Sequence, residues 1–231
     1  MSRSEHEANE LPNLKTDGVS HAGGGTYDTV SLDGVSTING NVISRTFQVN
    51  GQCKVIGNLE TEEMKCDGML NVKGNAQVVK GNVGGMATIE GSLVGEQVEL
   101  YGLLKVKKDC EIERFEADGV FLIDGHLHAG TVDVHLHGLS RASEIGGESI
   151  RVRRESKSKW NLLRLFRKFS PELRAKVIEG DDLDLEYTSA EIVRGNRVTI
   201  GEGCSIGRVE YRQELKKHPA AKVREEEKLG G

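Results

Sequence analysis

The sequence predicts an all-β fold, a parallel β-solenoid in which the chain coils around one narrow apolar core and each coil stacks on the last. Three observations predict it. Glycine recurs without a slip at every seventeenth position, Gly34, Gly51, Gly68, Gly85, Gly102 and Gly119. In the same frame runs a column of β-branched side chains, Ile38, Val55, Val72, Ile89, Val106 and Ile123, stiff residues that suit strands. The 231 residues also include 29 Gly but only 3 Pro and 4% aromatics, so the core must be built from small aliphatic side chains.

The elements follow from that frame. A second glycine column, Gly40, Gly57, Gly74, Gly91 and Gly125, is interrupted once by Lys108. Three more columns read Val42, Leu59, Ala76, Leu93, Cys110, Leu127; then Phe47, Met64, Gly81, Val98, Phe115, Val132; then Val49, Cys66, Val83, Leu100, Ala117, Val134. The last two lie two residues apart, the alternation of a strand with one face inward, and leave no room for a helix between coils. Glycines mark corners, where the backbone needs positive φ or a close approach. Residues 1–26 read as a disordered tail, 27–152 as solenoid, 153–180 as an insertion, 181–211 as further coil and 212–231 as a charged tail. Six clear coils reach Val134, and a seventh, around Ile145 and Ile150, drifts from the phase. At about 4.8 Å per coil, six to eight coils make a rod of roughly 30 to 40 Å.

Composition narrows the function. A formal net charge of −5 argues against a general nucleic-acid binder. No apolar run is long enough for a membrane-spanning helix, and the polar N-terminus has no signal-peptide core, so a cytoplasmic location is expected. Cys53, Cys66, Cys110 and Cys204 form no CxxC pair and read as small buried hydrophobes. No P-loop occurs, and neither a nucleotide switch nor any other cofactor is expected. His126 and His128, with His135 and His137, tempt as metal ligands, but an offset of about half a coil sends the two pairs to different sides. Acids recur in no column that would build a glycosidase or lyase cleft, so an enzyme is not expected. The rival enzyme class is the left-handed β-helix acyltransferase, whose period of six fits only Gly195, Gly201 and Gly207.

Charge is concentrated in one place: residues 151–168 carry eight Lys or Arg against one acid. On a helical wheel Leu162, Leu163, Leu165, Phe166 and Phe169 share a broad face opposite Arg164, Arg167 and Lys168, with Trp160 among the basic residues. Such a helix suits the interface of an anionic membrane or a partner protein. Ser170-Pro171-Glu172 then reads as a cap opening a second short helix, ELRAKVIEG. The alternative is that both helices pack on the solenoid flank or over its end, with the cations solvated.

The stretch from about residue 27 to 150, with its openings Asp33-Gly34, Asn50-Gly51, Asp67-Gly68 and Asp118-Gly119 and its Gly40-Asn41-Val42, Gly57-Asn58-Leu59 and Gly91-Ser92-Leu93 steps, resembles the bactofilins, polymer-forming bacterial cytoskeletal proteins. The resemblance implies a right-handed β-helix, nonpolar filaments assembled without nucleotide, and scaffolding of cell shape, envelope growth or motility, often on the inner face of the membrane. The implied partners are the chain itself, a second bactofilin, an anionic membrane or an envelope protein. The N-terminus lacks the short hydrophobic motif by which members attach to membrane, and the basic insertion is not part of the usual pattern.

A solenoid has two open ends with unpaired backbone and an exposed core cross-section, and stacking satisfies both. The expected joint residues are Val30 and Leu32 at one end and Ile206, Val209 and Tyr211 at the other; alternatively these finish the core under capping tails. A non-polymerising adaptor remains the second reading.

Overall fold

The structure is a computed structural model that describes residues 11–154 and 171–230. These form a parallel β-solenoid with no helix among the described residues. The first coils are β1 (Leu14–Thr16), β2 (Val19–Leu32) and β3 (Val35–Val49). Short strands then make one face: β4 (Gln52–Ile56), β6 (Met69–Val72), β8 (Met86–Ile89), β10 (Leu103–Val106), β12 (Val120–Ile123) and β14 (Leu139–Arg141). Longer ones close each coil: β5 (Leu59–Cys66), β7 (Ala76–Val83), β9 (Leu93–Leu100), β11 (Cys110–Ala117) and β13 (His126–Leu136). Beyond them lie β15 (Glu144–Arg154), β16 (Glu172–Leu185), β17 (Thr188–Ile200), β18 (Ser205–Lys217) and β19 (Lys222–Lys228).

The columns read from the sequence are the interior ladders. Val30, Phe47, Met64, Gly81, Val98, Phe115, Val132, Ile150, Leu183 and Val198 stack in register, one per coil. All but Gly81 belong to one continuous apolar cluster. Phe115 meets Phe121 edge to face at 5.4 Å between ring centroids, the geometry that aromatic quadrupoles favour. The Gly-Asn steps have their own cause. Asn41 Oδ1 accepts the Asn58 N–H at 2.9 Å, Asn58 accepts that of Asn75 at 2.9 Å, and Asn75 that of Ser92 at 3.0 Å, so each amide satisfies the corner above it.

The corner glycines serve close approach. Among the described glycines positive φ occurs only at Gly18, Gly40 and Gly203, none of which belongs to the column that begins at Gly34. A Cβ on Gly119 would lie 2.5 Å from the Gly102 carbonyl oxygen of the coil beneath, a distance real Cβ atoms do not reach.

Three expectations need correction. The segments assigned to tails contain coils: Leu14 stacks on Val30 and Thr16 on Leu32, while Ile206 stacks beneath Val223 and Tyr211 beneath Lys228. Parallel pairing needs only backbone and one or two inward apolar side chains, so polar strands at the ends escape a search for apolar periodicity. With about twelve coils, the rod is on the order of 55 Å long at 4.8 Å per coil, above the expected length. The second short helix is also a strand: residues 172–180 lie within β16, with Leu173 and Ile178 buried. β15 and β17 flank that strand and pair with its backbone on both sides, and a helix there would break the ladder from Ile150 to Leu183.

The insertion interrupts one solenoid and does not divide it in two. β15 pairs directly with β16, and Glu144 meets Val177, an offset equal to one ordinary coil plus the segment 155–170.

Candidate assembly surfaces

The five residues expected at the joints lie one coil inside the ends. Val30 and Leu32 are fully buried beneath β1, and Ile206 and Val209 are buried beneath β19 with Tyr211 half-buried beside them. The ends themselves are other strands. Among the described residues β1 pairs only with β2 and β19 only with β18, so each leaves one row of backbone N–H and C=O groups unpaired. Behind these edges sit half-buried apolar side chains: Leu14, Ala22 and Tyr27 at one end, Leu215, Ala221 and Val223 at the other.

A second surface runs along the flank, on the face made by the short strands. Immediately after each corner glycine one side chain points outward, and this column stacks from Val19 and Val35 through Met69, Met86 and Leu103 to Val120. Gln52 is its one polar member up to that point. Leu122 pairs with Arg141, which sets Leu139 next in line, and Glu172 follows it. Val19 is 81% exposed, and Val35 and Met69 are each 48% exposed. The repeat frame contained this signal one residue after each glycine; a search for inward columns passes over it because an outward apolar column contributes nothing to the core.

The residues expected to contact membrane or partner, Trp160, Leu162, Leu163, Arg164, Leu165, Phe166, Arg167, Lys168 and Phe169, lie outside the described residues. Part of the basic window is visible and is tied down. Arg153 pairs with Asp184 and approaches Glu186, while Arg154 stacks 4.6 Å above the Tyr187 ring. These cations hold the coil before the insertion to the coil after it.

The other constellations are dispersed. His126 and His128 point outward on one side, 4.0 Å separating His126 Nε2 from Glu144, whereas His137 pairs with Asp118 on another. Among the described residues no group of three or more His, Cys, Asp or Glu is placed to hold a metal ion. An open furrow of about 840 Å³ passes over Gly130, Gly147, Gly180 and Gly195, where missing side chains lower the surface; Arg194 bridges Glu179 and Glu210 at its rim. All four cysteines are free and buried, and burial pushes the thiols up, to about 12 for Cys53 and Cys110 and about 11 for Cys66 and Cys204. At neutral pH they are small hydrophobes and not nucleophiles. No helix among the described residues is long and apolar enough to cross a membrane.

Comparison with known proteins finds relatives of unknown role. The chain is 39% identical over 104 residues to the uncharacterized protein YhbF of Bacillus subtilis (strain 168), a match that covers 45% of this chain and 41% of YhbF. It is 42% identical over 92 residues to the uncharacterized protein YhbE of the same organism, covering 40% of this chain and 38% of YhbE. The matches thus span about two fifths of the length of each relative. No family model and no solved structure matches.

Proposed function

We propose that this chain is a structural scaffold that assembles end to end into filaments without nucleotide, as the bactofilins it resembles do. A β-solenoid is compatible with such a role, and the open ends carry the proposal. Among the described residues each presents an unpaired strand edge backed by half-buried apolar side chains, Leu14, Ala22 and Tyr27 at one end and Leu215, Ala221 and Val223 at the other. A second copy placed against either edge continues the backbone ladder and covers that apolar surface, which satisfies both costs of an open end. The filament would support cell shape, envelope organisation or motility in the cytoplasm, with the basic segment 155–170 tethering it to an anionic membrane or an envelope protein. No reaction is assigned to the chain.

Negative-stain electron microscopy of the purified chain without nucleotide tests the proposal, in parallel with Leu14→Arg and Val223→Arg. Both substitutions fall on half-buried end positions, one coil outside the buried Val30 and Ile206, and a melting curve equal to the parent's shows that the solenoid is intact. Long filaments in the parent that shorten or vanish in the variants are expected. Discrete particles in the parent at every concentration and salt would overturn the filament and favour a non-polymerising adaptor.

A further inference from the structure

We propose that two copies of this chain pair side by side through the outer apolar column, with their rods parallel and related by a two-fold axis along the rod. The column is an anomaly among outward positions. In the same coils another outward column reads Thr46, Glu63, Lys80, Gln97, Arg114 and Thr131, polar throughout, whereas the column from Val19 to Val120 holds a single polar residue, Gln52. Nothing in the core requires this, since these side chains point away from it. A contiguous outward apolar strip of such length, exposed at Val19, Val35 and Met69 and half-buried at Met86, Leu103, Val120 and Leu139, marks an interaction surface.

Three features identify the occupant as another copy. The first is pitch. The strip repeats at the coil spacing of about 4.8 Å, and a second solenoid of the same chain presents apolar side chains at that same spacing from Val19 to Leu139, save at Gln52. The second is area. From Val19 to Leu139 the strip is about 34 Å long and, with its flanks, about 20 Å wide, which offers on the order of 700 Å² per copy, close to the roughly 800 Å² per partner of a stable dimer.

The third is charge. On one side of the strip, at the corner, lie exposed Asp33, Asp67 and Asp118; on the other side lie Lys54, Lys105 and Arg141. A two-fold axis parallel to the rods sets the acidic flank of each copy against the basic flank of the other. Asp67 then faces Lys54, and Asp118 faces Lys105 and Arg141, each within one coil. Antiparallel rods would instead set acid against acid and base against base. Asp67, Asp118 and Arg141 now lean on Lys65, His137 and Asp124 of their own chain, exposed pairs that exchange at little cost. Lys54 and Lys105 make no ion pair among the described residues. The strip stops where Glu172 follows Leu139, so the pairing leaves the strand edges of β1 and β19 open. The contact is independent of end-to-end stacking; where both occur, it doubles the filament.

Single-cysteine probes on the full chain test it, since the four native thiols are buried. Val35→Cys and Val120→Cys are each treated with a short bis-maleimide. Parallel pairing gives covalent dimers in each variant alone. Dimers that appear only when the two variants are mixed would overturn the parallel arrangement, and no dimers in either experiment would overturn the pairing. Met69→Glu with Leu103→Glu should abolish cross-linking in the Val120→Cys background while leaving the melting curve in place, because both side chains point outward. In micrographs the double substitution should convert double-width filaments to single-width ones of unchanged length. Filaments that are single-width in the parent refute the pairing alone, whereas cross-linked dimers without filaments refute end stacking alone. Loss of binding to phosphatidylglycerol vesicles on the double substitution, with no cross-linking in the parent probes, would overturn the proposal in favour of a lipid surface.

Discussion

Replacing Gly119 with alanine while leaving every other corner untouched isolates the reason for the periodic glycine column. Gly119 has no positive φ, so an alanine there carries no backbone strain; the cost is contact alone. Its Cβ would sit 2.5 Å from Gly102 O and 2.9 Å from the Tyr101 carbonyl carbon. Relief to an ordinary contact distance needs a shift of about 0.9 Å between coils. That shift would stretch the bond from Val120 N–H to Gly102 O, now 2.9 Å, beyond hydrogen-bonding range, and strain the 2.7 Å bond from Asp118 N–H to Leu100 O. Losing one or two such bonds at a site packed on both sides is worth about 2 to 3 kcal/mol. Gly81 is the internal control. It lies on an interior ladder, where an added Cβ meets Val78 at 3.4 Å, Met64 at 3.5 Å and Val98 at 3.6 Å, ordinary contact distances. Gly81→Ala should therefore be neutral or stabilising by up to about 1 kcal/mol through reduced freedom of the unfolded chain. Urea unfolding followed by far-ultraviolet circular dichroism, at a concentration below assembly, reads both. The expectation is a lower midpoint for Gly119→Ala and an equal or higher one for Gly81→Ala. Equal midpoints for the two variants would refute the reasoning, because close approach would then not be what selects glycine at the corners.

Other consequences concern charge and register. The buried thiols should make the fold alkali-sensitive: below about pH 8 both folded and unfolded chains keep the protons and the full stabilisation is present. Above pH 9 the unfolded chain ionises first, and stability falls as pH rises through about 11 to 12, by about 1 kcal/mol per thiol at pH 10. A variant with all four cysteines changed to alanine should lose less between pH 8 and pH 10 in thermal melts, and an identical pH dependence would count against burial as the cause. Arg194→Leu should destabilise by about 2 kcal/mol, because Glu210, only 8% exposed, keeps no closer cation than Arg208 at 3.8 Å. Arg194→Leu with Glu210→Leu should recover most of that loss in the same denaturation assay. Deleting residues 155–170 should leave the melting temperature within a few degrees, since Arg153, Arg154 and Pro171 then bridge Val152 to Glu172, where Asn50 and Gly51 suffice between Val49 and Gln52. Loss of the cooperative transition would show that the segment is part of the fold.

The interior was legible residue by residue because burial repeats: a side chain that stacks on its counterpart one coil away must be apolar and of bounded size at every coil, and Ile38 to Ile123 show it. Periodicity reports only what packing constrains, which is why the ends escaped it. Leu14–Thr16 and Lys222–Lys228 are coils made chiefly by backbone pairing, and Leu14 and Val223, one apolar side chain in each, are too few to show a period. Glu172–Gly180 misled for a related reason. Read alone, ELRAKVIEG has helical composition and a capping sequence in front of it, yet the strands on either side offer its backbone a complete ladder, and tertiary pairing overrides local propensity.

By itself, then, the sequence determined the architecture: a parallel coil with a 17-residue repeat from Val35 to Val134, the side chains that face inward there, and the burial of cysteines that could otherwise have been reactive. Inward columns and corners are local consequences of one repeat, and a repeat is visible in one dimension. The tertiary structure decided where the rod stops, that the insertion leaves a single solenoid intact, and which surfaces remain open. Those are properties of strands without a neighbour and of side chains pointing out, and neither absence of a partner nor outward direction has a period of its own until the coils are stacked.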